Sequence, residues 1–135
     1  MISLKAHNVL DYVAGAALIF LPAFAGFEGA NSARNAFFFV GLFWIAYSLA
    51  TNYPFALWRR IPLGVHMVLD SVSAIALMAA PWVIGYRVRL TEGEESLHYL
   101  AGILLLALVA VTRSKTEAEK RLHEPTYPGR YSAAG

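Results

Sequence analysis

The segment from His7 to Phe27 recurs, without a gap, from His66 to Tyr86. Nine of the 21 aligned positions are identical: His7/His66, Val9/Val68, Leu10/Leu69, Asp11/Asp70, Val13/Val72, Ala17/Ala76, Leu18/Leu77, Pro22/Pro81 and Gly26/Gly85. Apolar bias alone can generate the Val, Leu and Ala matches. It does not readily place His, Asp, Pro and Gly in register. A fainter correspondence pairs Gly41 with Gly102 and Thr51 with Thr112 at an offset of 61. The fold must therefore accommodate two copies of one unit, and in each copy an apolar run opens on a His and an Asp.

Each unit holds two apolar windows. The first copy has one from about Val9 to Phe27, broken by Asp11, and an uncharged one from Ala36 to Ala50. The second has one from Leu63 to Tyr86, with Asp70 its only carboxylate, and one from Leu97 to Thr112. A helix crossing a bilayer core needs about 20 residues, with a range of about 17–25. The second and fourth windows reach that length if Asn35, Thr51, Ser96 and Arg113 lie at the interface. The chain is 58% hydrophobic and 15% charged, against about 45–50% and about 25% in soluble domains. A chain of 135 residues cannot bury that much apolar surface by itself, so lipid is the expected solvent. Net charge of +2, with no basic stripe interleaved with aromatics, gives no nucleic-acid partner. The absence of cysteine removes disulfides, thiolate metal sites and cysteine nucleophiles.

The expected fold is an all-α integral membrane four-helix bundle made of two tandem helical-hairpin repeats. Repeat one covers about residues 5–54 and repeat two about 61–113, in a membrane domain over 1–115 followed by a cytoplasmic tail over 116–135. The links are EGANSAR (28–34), with Gly29 and Asn31 as turn formers, NYPFALWRRIP (52–62), and RVRLTEGEE (87–95). Pro62 suits the first position of a helix, and Tyr53 and Trp58 suit the interfacial aromatic belt. The tail is expected to prolong the fourth helix, with Glu117 and Arg121 as an i, i+4 pair, before a Pro-containing end.

With four alternating spans, Lys5, Arg59, Arg60, Arg113, Lys115, Lys120, Arg121 and Arg130 share one side. Arg34, Arg87 and Arg89 share the other, with Glu28, Glu92, Glu94 and Glu95. That bias puts both termini in the cytoplasm of an inner (plasma) membrane. A cleaved secretory signal competes for the N-terminus, since Lys5, an apolar run and Ala23-Phe24-Ala25 imitate its three regions. Asp11 would interrupt the signal's apolar core, and the same segment recurs mid-chain, so a retained span is expected.

The string APWVIGY (Ala80 to Tyr86) resembles the Ser-Pro-Trp signature of the SPW-repeat family of small bacterial membrane proteins. IPLGVHMVLD (Ile61 to Asp70), HNVLD (His7 to Asp11) and HYLAG (His98 to Gly102) resemble one group within it. The likeness covers roughly residues 5–112. Its signature here is Pro22, Gly26, Pro81, Trp82 and Gly85, with Ala80 in place of Ser and Pro22-Ala23 in place of Pro-Trp. The resemblance implies two-helix units and a membrane setting; it implies no activity.

Residues four apart share a helix face. His7 and Asp11 thus point one way, continued by Ala14, Gly15, Leu18 and Pro22. His66 and Asp70 do the same, continued by Ser73, Ala74, Leu77 and Pro81. The small residues suggest that helices one and three pack on each other through these faces, bringing His7, Asp11, His66 and Asp70 together inside the cytoplasmic interface. An Asp at the centre of a span costs about 2.5–3.5 kcal/mol on insertion scales, so a partner is required.

Three readings of the cluster stay open on sequence alone. It is structural glue between helices; or it holds a divalent metal through two imidazoles and two carboxylates; or it is part of a proton or ion path. Polar groups give out beyond Ser71 and Ser73 on one helix and Tyr12 on the other. The expected role is accordingly structural or accessory, not enzymatic, with no cofactor unless the divalent metal. A transporter, channel or metal-binding protein is the alternative. The expected partners are the lipid bilayer and a homo-oligomer or larger membrane complex. Nothing resembles a nucleophile motif, a phosphate loop or a paired-acid catalytic set. His98 beside Glu94 and Glu95 reads as a solvated helix start. Trp82 and Tyr86 read as interfacial anchors, and the aromatics from Phe37 to Tyr47 as facing lipid and neighbouring helices.

Overall fold

The computed structural model describes residues 2–27, 31–52 and 54–123, with side chains described as far as Thr112. Tyr53, the side chains of the Glu117–Arg121 pair and the tail beyond 123 lie outside what is described. The described part is an all-α fold, with helices in the order α1 (Leu4–Phe24), α2 (Asn31–Ala50), α3 (Leu63–Val83) and α4 (Glu92–His123) and a 3-10 turn at Arg87–Arg89. The lengths follow from capping. The Ser3 hydroxyl accepts the Ala6 N–H at 3.2 Å and starts α1. Pro62 stands one place outside α3, as its N-cap and not its first helical residue.

The repeated Pro and Gly end the helices. Pro22 and Pro81 lie near the ends of α1 and α3, where few residues remain to be disrupted. Gly26 and Gly85 then take positive φ, 66° and 79°, the left-handed conformation that terminates a helix. At α1 the Phe27 N–H returns to the Pro22 carbonyl, the long hydrogen bond of a Schellman motif. The residue after each Gly, Phe27 or Tyr86, is thereby turned inward and buried.

All four helices are long and apolar enough to cross a membrane, over Leu4–Phe24, Asn31–Ala50, Leu63–Val83 and Glu92–Thr112. Val13, Phe20, Phe24, Phe39, Val68, Val72, Ile103 and Leu104 are all more than half exposed. So much outward apolar surface suits lipid and would not stay monomeric in water. The molecule has the surface of a multi-pass membrane protein.

The closest pairings are α1 with α2 and α3 with α4, and α2–α3 and α1–α4 close the ring. α1 and α3 therefore stand on a diagonal. The expectation that they pack on each other through small residues is corrected here. A Cβ on Gly41 of α2 would lie 2.6 Å from the Gly15 carbonyl oxygen of α1, and one on Gly102 of α4 would lie 2.9 Å from the Ala74 carbonyl oxygen of α3. The small residues serve close approach within each hairpin, where a connection of six residues (25–30) or eight (84–91) leaves the two helices side by side. The diagonal is bridged by longer side chains.

The α2–α3 loop folds back on the bundle. Leu57 and Trp58 N–H groups bond the Leu49 carbonyl, and Arg60 and Ile61 bond that of Ala50. Carbonyls left open at the end of α2 are thus satisfied. From α1, Asn8 Oδ1 accepts the Phe55 N–H and the Tyr12 hydroxyl donates to the Phe55 carbonyl, each at 3.2 Å. The loop is held against the end of the bundle where α1 and α3 begin.

Candidate functional site

His7, Asp11, His66 and Asp70 meet across the diagonal, each with 0% exposure. The i, i+4 spacing delivers each His and its Asp on one face, and the repeat delivers two such faces to one point. His7 Nε2 lies 3.4 Å from Asp11 Oδ1 and 3.5 Å from Asp70 Oδ2. His66 Nε2 lies 3.2 Å from Asp11 Oδ2 and 3.2 Å from Asp70 Oδ2. One ligand atom from each residue can be chosen so that all four fall within 4.8 Å of one another.

Two threonines fix the imidazoles. The Thr51 hydroxyl donates to the Tyr47 carbonyl at 2.7 Å, so its oxygen accepts from His66 Nδ1 at 2.9 Å. The Thr112 hydroxyl donates to the Leu108 carbonyl at 2.9 Å, and its oxygen accepts from His7 Nδ1 at 2.8 Å. Each His therefore carries a proton on Nδ1 and turns Nε2 toward the carboxylates. The bonds cross between repeats: Thr51 of repeat one holds His66 of repeat two, and Thr112 of repeat two holds His7 of repeat one. The sequence pairs Thr51 with Thr112 as a repeat match but does not give their partners. Tyr47, expected among the aromatics that face lipid and neighbouring helices, is buried and donates its hydroxyl to Asp70 Oδ1 at 2.6 Å. No sequence signal short of the fold pointed to that contact.

Five donor atoms converge here: the two Nε2 atoms, both Asp11 oxygens and Asp70 Oδ2, with nitrogen–oxygen separations of 3.2–3.5 Å. These are longer than the about 2.7–2.9 Å of a strong imidazolium–carboxylate hydrogen bond and of the size of ligand–ligand separations around an ion bound at about 2.0–2.2 Å. Among the described residues, Asp11 Oδ1 and Oδ2 and Asp70 Oδ2 receive no hydrogen bond of good geometry. Two nitrogens and two carboxylates are a suitable donor set for zinc or a neighbouring first-row divalent ion, and the Thr–His bonds supply the outer shell such ligands require.

The other sequence candidates lie elsewhere. His98 is not a solvated helix start; it is fully buried at the opposite end, against Phe27 and Phe37. Its Nδ1 donates to the Glu94 carbonyl at 2.8 Å, so Nε2 accepts from the Tyr86 hydroxyl at 3.0 Å. Tyr86 is likewise no interfacial anchor: it is buried, and burial pushes its phenol up to about 12, keeping it a neutral donor. By repeat position, Tyr86 matches Phe27 and His98 matches Phe37, so one repeat closes its outer end with an apolar pair and the other with a hydrogen-bonded one. Trp82 is exposed as expected, with Arg87 4.0 Å above its ring and its N–H on the Tyr99 hydroxyl at 3.0 Å. Pro22, Gly26, Pro81 and Gly85 belong to helix termination and do not touch the cluster.

No family model, no curated protein and no solved structure matches the chain.

Proposed function

We propose that the chain is a small multi-pass membrane protein whose two hairpins are joined by a resident divalent metal ion, with His7, Asp11, His66 and Asp70 as ligands. The observation that carries this reading is the convergence of two imidazoles and two carboxylates, all fully buried, with one donor atom from each within 4.8 Å of the others. The role is structural or accessory and not enzymatic. The ion stands in a closed place: outward from it the core is filled by Leu18, Trp44, Ala74 and Leu77, each buried. That filling supports an ion that stays over one that is passed across. The charge bias of the loops supports both termini in the cytoplasm, and the Pro-Trp and His-Asp strings support kinship with the SPW-repeat proteins and, with it, an inner membrane.

The test is unfolding of the purified full chain in detergent, with and without a chelator. The reading predicts a fall in midpoint temperature on chelation, reversed by Zn2+ and not by Mg2+, because an ion bound only by the folded state stabilises it. Asp11→Asn and Asp70→Asn variants are expected to show a smaller response. An unfolding curve indifferent to chelator and zinc would contradict it.

A further inference from the structure

The two carboxylates do not face the cluster in the same way, although they occupy equivalent repeat positions. Asp70 presents one oxygen: Oδ2 faces both imidazoles, at 3.5 and 3.2 Å, while Oδ1 is taken by the Tyr47 hydroxyl at 2.6 Å. Asp11 presents two: Oδ1 faces His7 at 3.4 Å and Oδ2 faces His66 at 3.2 Å. The cause lies in the neighbouring helices. At the offset of 61 that pairs Thr51 with Thr112, Tyr47 corresponds to Leu108, which has no hydroxyl to offer Asp11. Tyr47 is itself held in place. Its ring stands edge-on to His66 with centroids 5.1 Å apart, and it contacts Phe43 and Trp44.

We infer that the cluster is a five-donor cation site, with Asp11 bound through both oxygens and Asp70 through Oδ2 alone, and that Tyr47 is the positioning residue that sets this difference. The inference rests on the metal reading above and specifies it: the class of ligand is a first-row divalent ion that accepts five donors, two nitrogens and three oxygens. The broken symmetry matters because two bidentate carboxylates would offer six donors, a set suited to ions of octahedral preference. Tyr47 withdraws one oxygen and shifts the site toward ions that tolerate fewer ligands, of which zinc is the clearest.

Co2+ alone is the probe, titrated into the purified full-length chain in nanodiscs. Its visible absorption weakens from four- to five- to six-coordinate ions, so the band reports donor number, which a merely structural contact would not move. The wild type is expected to give an intermediate band. Tyr47→Phe, which removes one hydroxyl and little volume, is expected to weaken the band as Asp70 Oδ1 turns inward, with one ion still bound per chain. Asp11→Asn, whose amide offers a single oxygen, is expected to strengthen it, and this second variant decides the matter should Tyr47→Phe fail to fold. A strong four-coordinate band in the wild type, or variant bands matching the wild type, would overturn the five-donor assignment and leave the metal reading standing. The absence of any cobalt band in the folded wild type would overturn both.

Discussion

Thr112 and His7 stand 105 residues apart in the sequence and 2.8 Å apart in the fold, hydroxyl oxygen to Nδ1. This contact ties the fourth helix to the first, and its twin, Thr51 to His66, ties the second to the third. Together they connect both repeats to both imidazoles. In lipid, where apolar burial does not drive helices together, packing and hydrogen bonds of this kind are what hold a bundle.

Thr112→Val and Thr51→Val keep the shape and lose the acceptor. Each is expected to destabilise the bundle by about 1–2 kcal/mol, as a buried His donor goes unmet. Zinc affinity should fall about 10–100-fold, as for loss of an outer-shell partner. Denaturant titration and zinc competition on the two variants check this, and the pseudo-symmetry predicts similar losses from both.

Gly41→Ala and Gly64→Ala should have opposite signs. A Cβ at Gly41 meets the Gly15 carbonyl at 2.6 Å and Leu18 Cβ at 3.0 Å. Backbone must move, at a cost of about 1–3 kcal/mol. A Cβ at Gly64, in the first turn of α3, meets nothing within 4 Å, and the gain in helix propensity is up to about 1 kcal/mol. Thermal unfolding of the two variants beside the wild type measures both.

The outer cluster offers a double-mutant cycle. Tyr86→Phe removes the donor to His98 Nε2 at 3.0 Å and should cost about 1–3 kcal/mol, the penalty of an unmet buried acceptor. Tyr86→Phe combined with His98→Phe rebuilds the apolar pair that Phe27 and Phe37 form, ring centroids 5.5 Å apart. It should restore most of the loss, since replacing both partners removes the unmet group. Unfolding free energies of the single and double variants decide it.

Much of this architecture could be read from the chain itself, because period and repeat are local signals. Four spans, two hairpins and the convergence of His7, Asp11, His66 and Asp70 follow from spacing and from duplication. The packing partners do not. Gly15 lies on the face expected to meet α3 and instead meets α2, because spacing gives a face but not a neighbour. The sequence reads Tyr86 as an interfacial anchor and His98 as a solvated helix start, because a phenol or imidazole near a span's end suits either the interface or a buried hydrogen bond. Tyr47 was lost among six aromatics of α2. Its role rests on one 2.6 Å contact across 23 residues, and no local pattern encodes such a contact.

The central claim is that one divalent ion joins the repeats through these four side chains. Elemental analysis of the full chain, purified from zinc-supplemented cells without chelator, tests it most directly, beside the Asp11→Asn/Asp70→Asn double variant. The account predicts one zinc or related first-row ion per wild-type chain and a large loss in the folded double variant. A wild-type protein that is folded and metal-free, or a double variant with equal metal content, would contradict it.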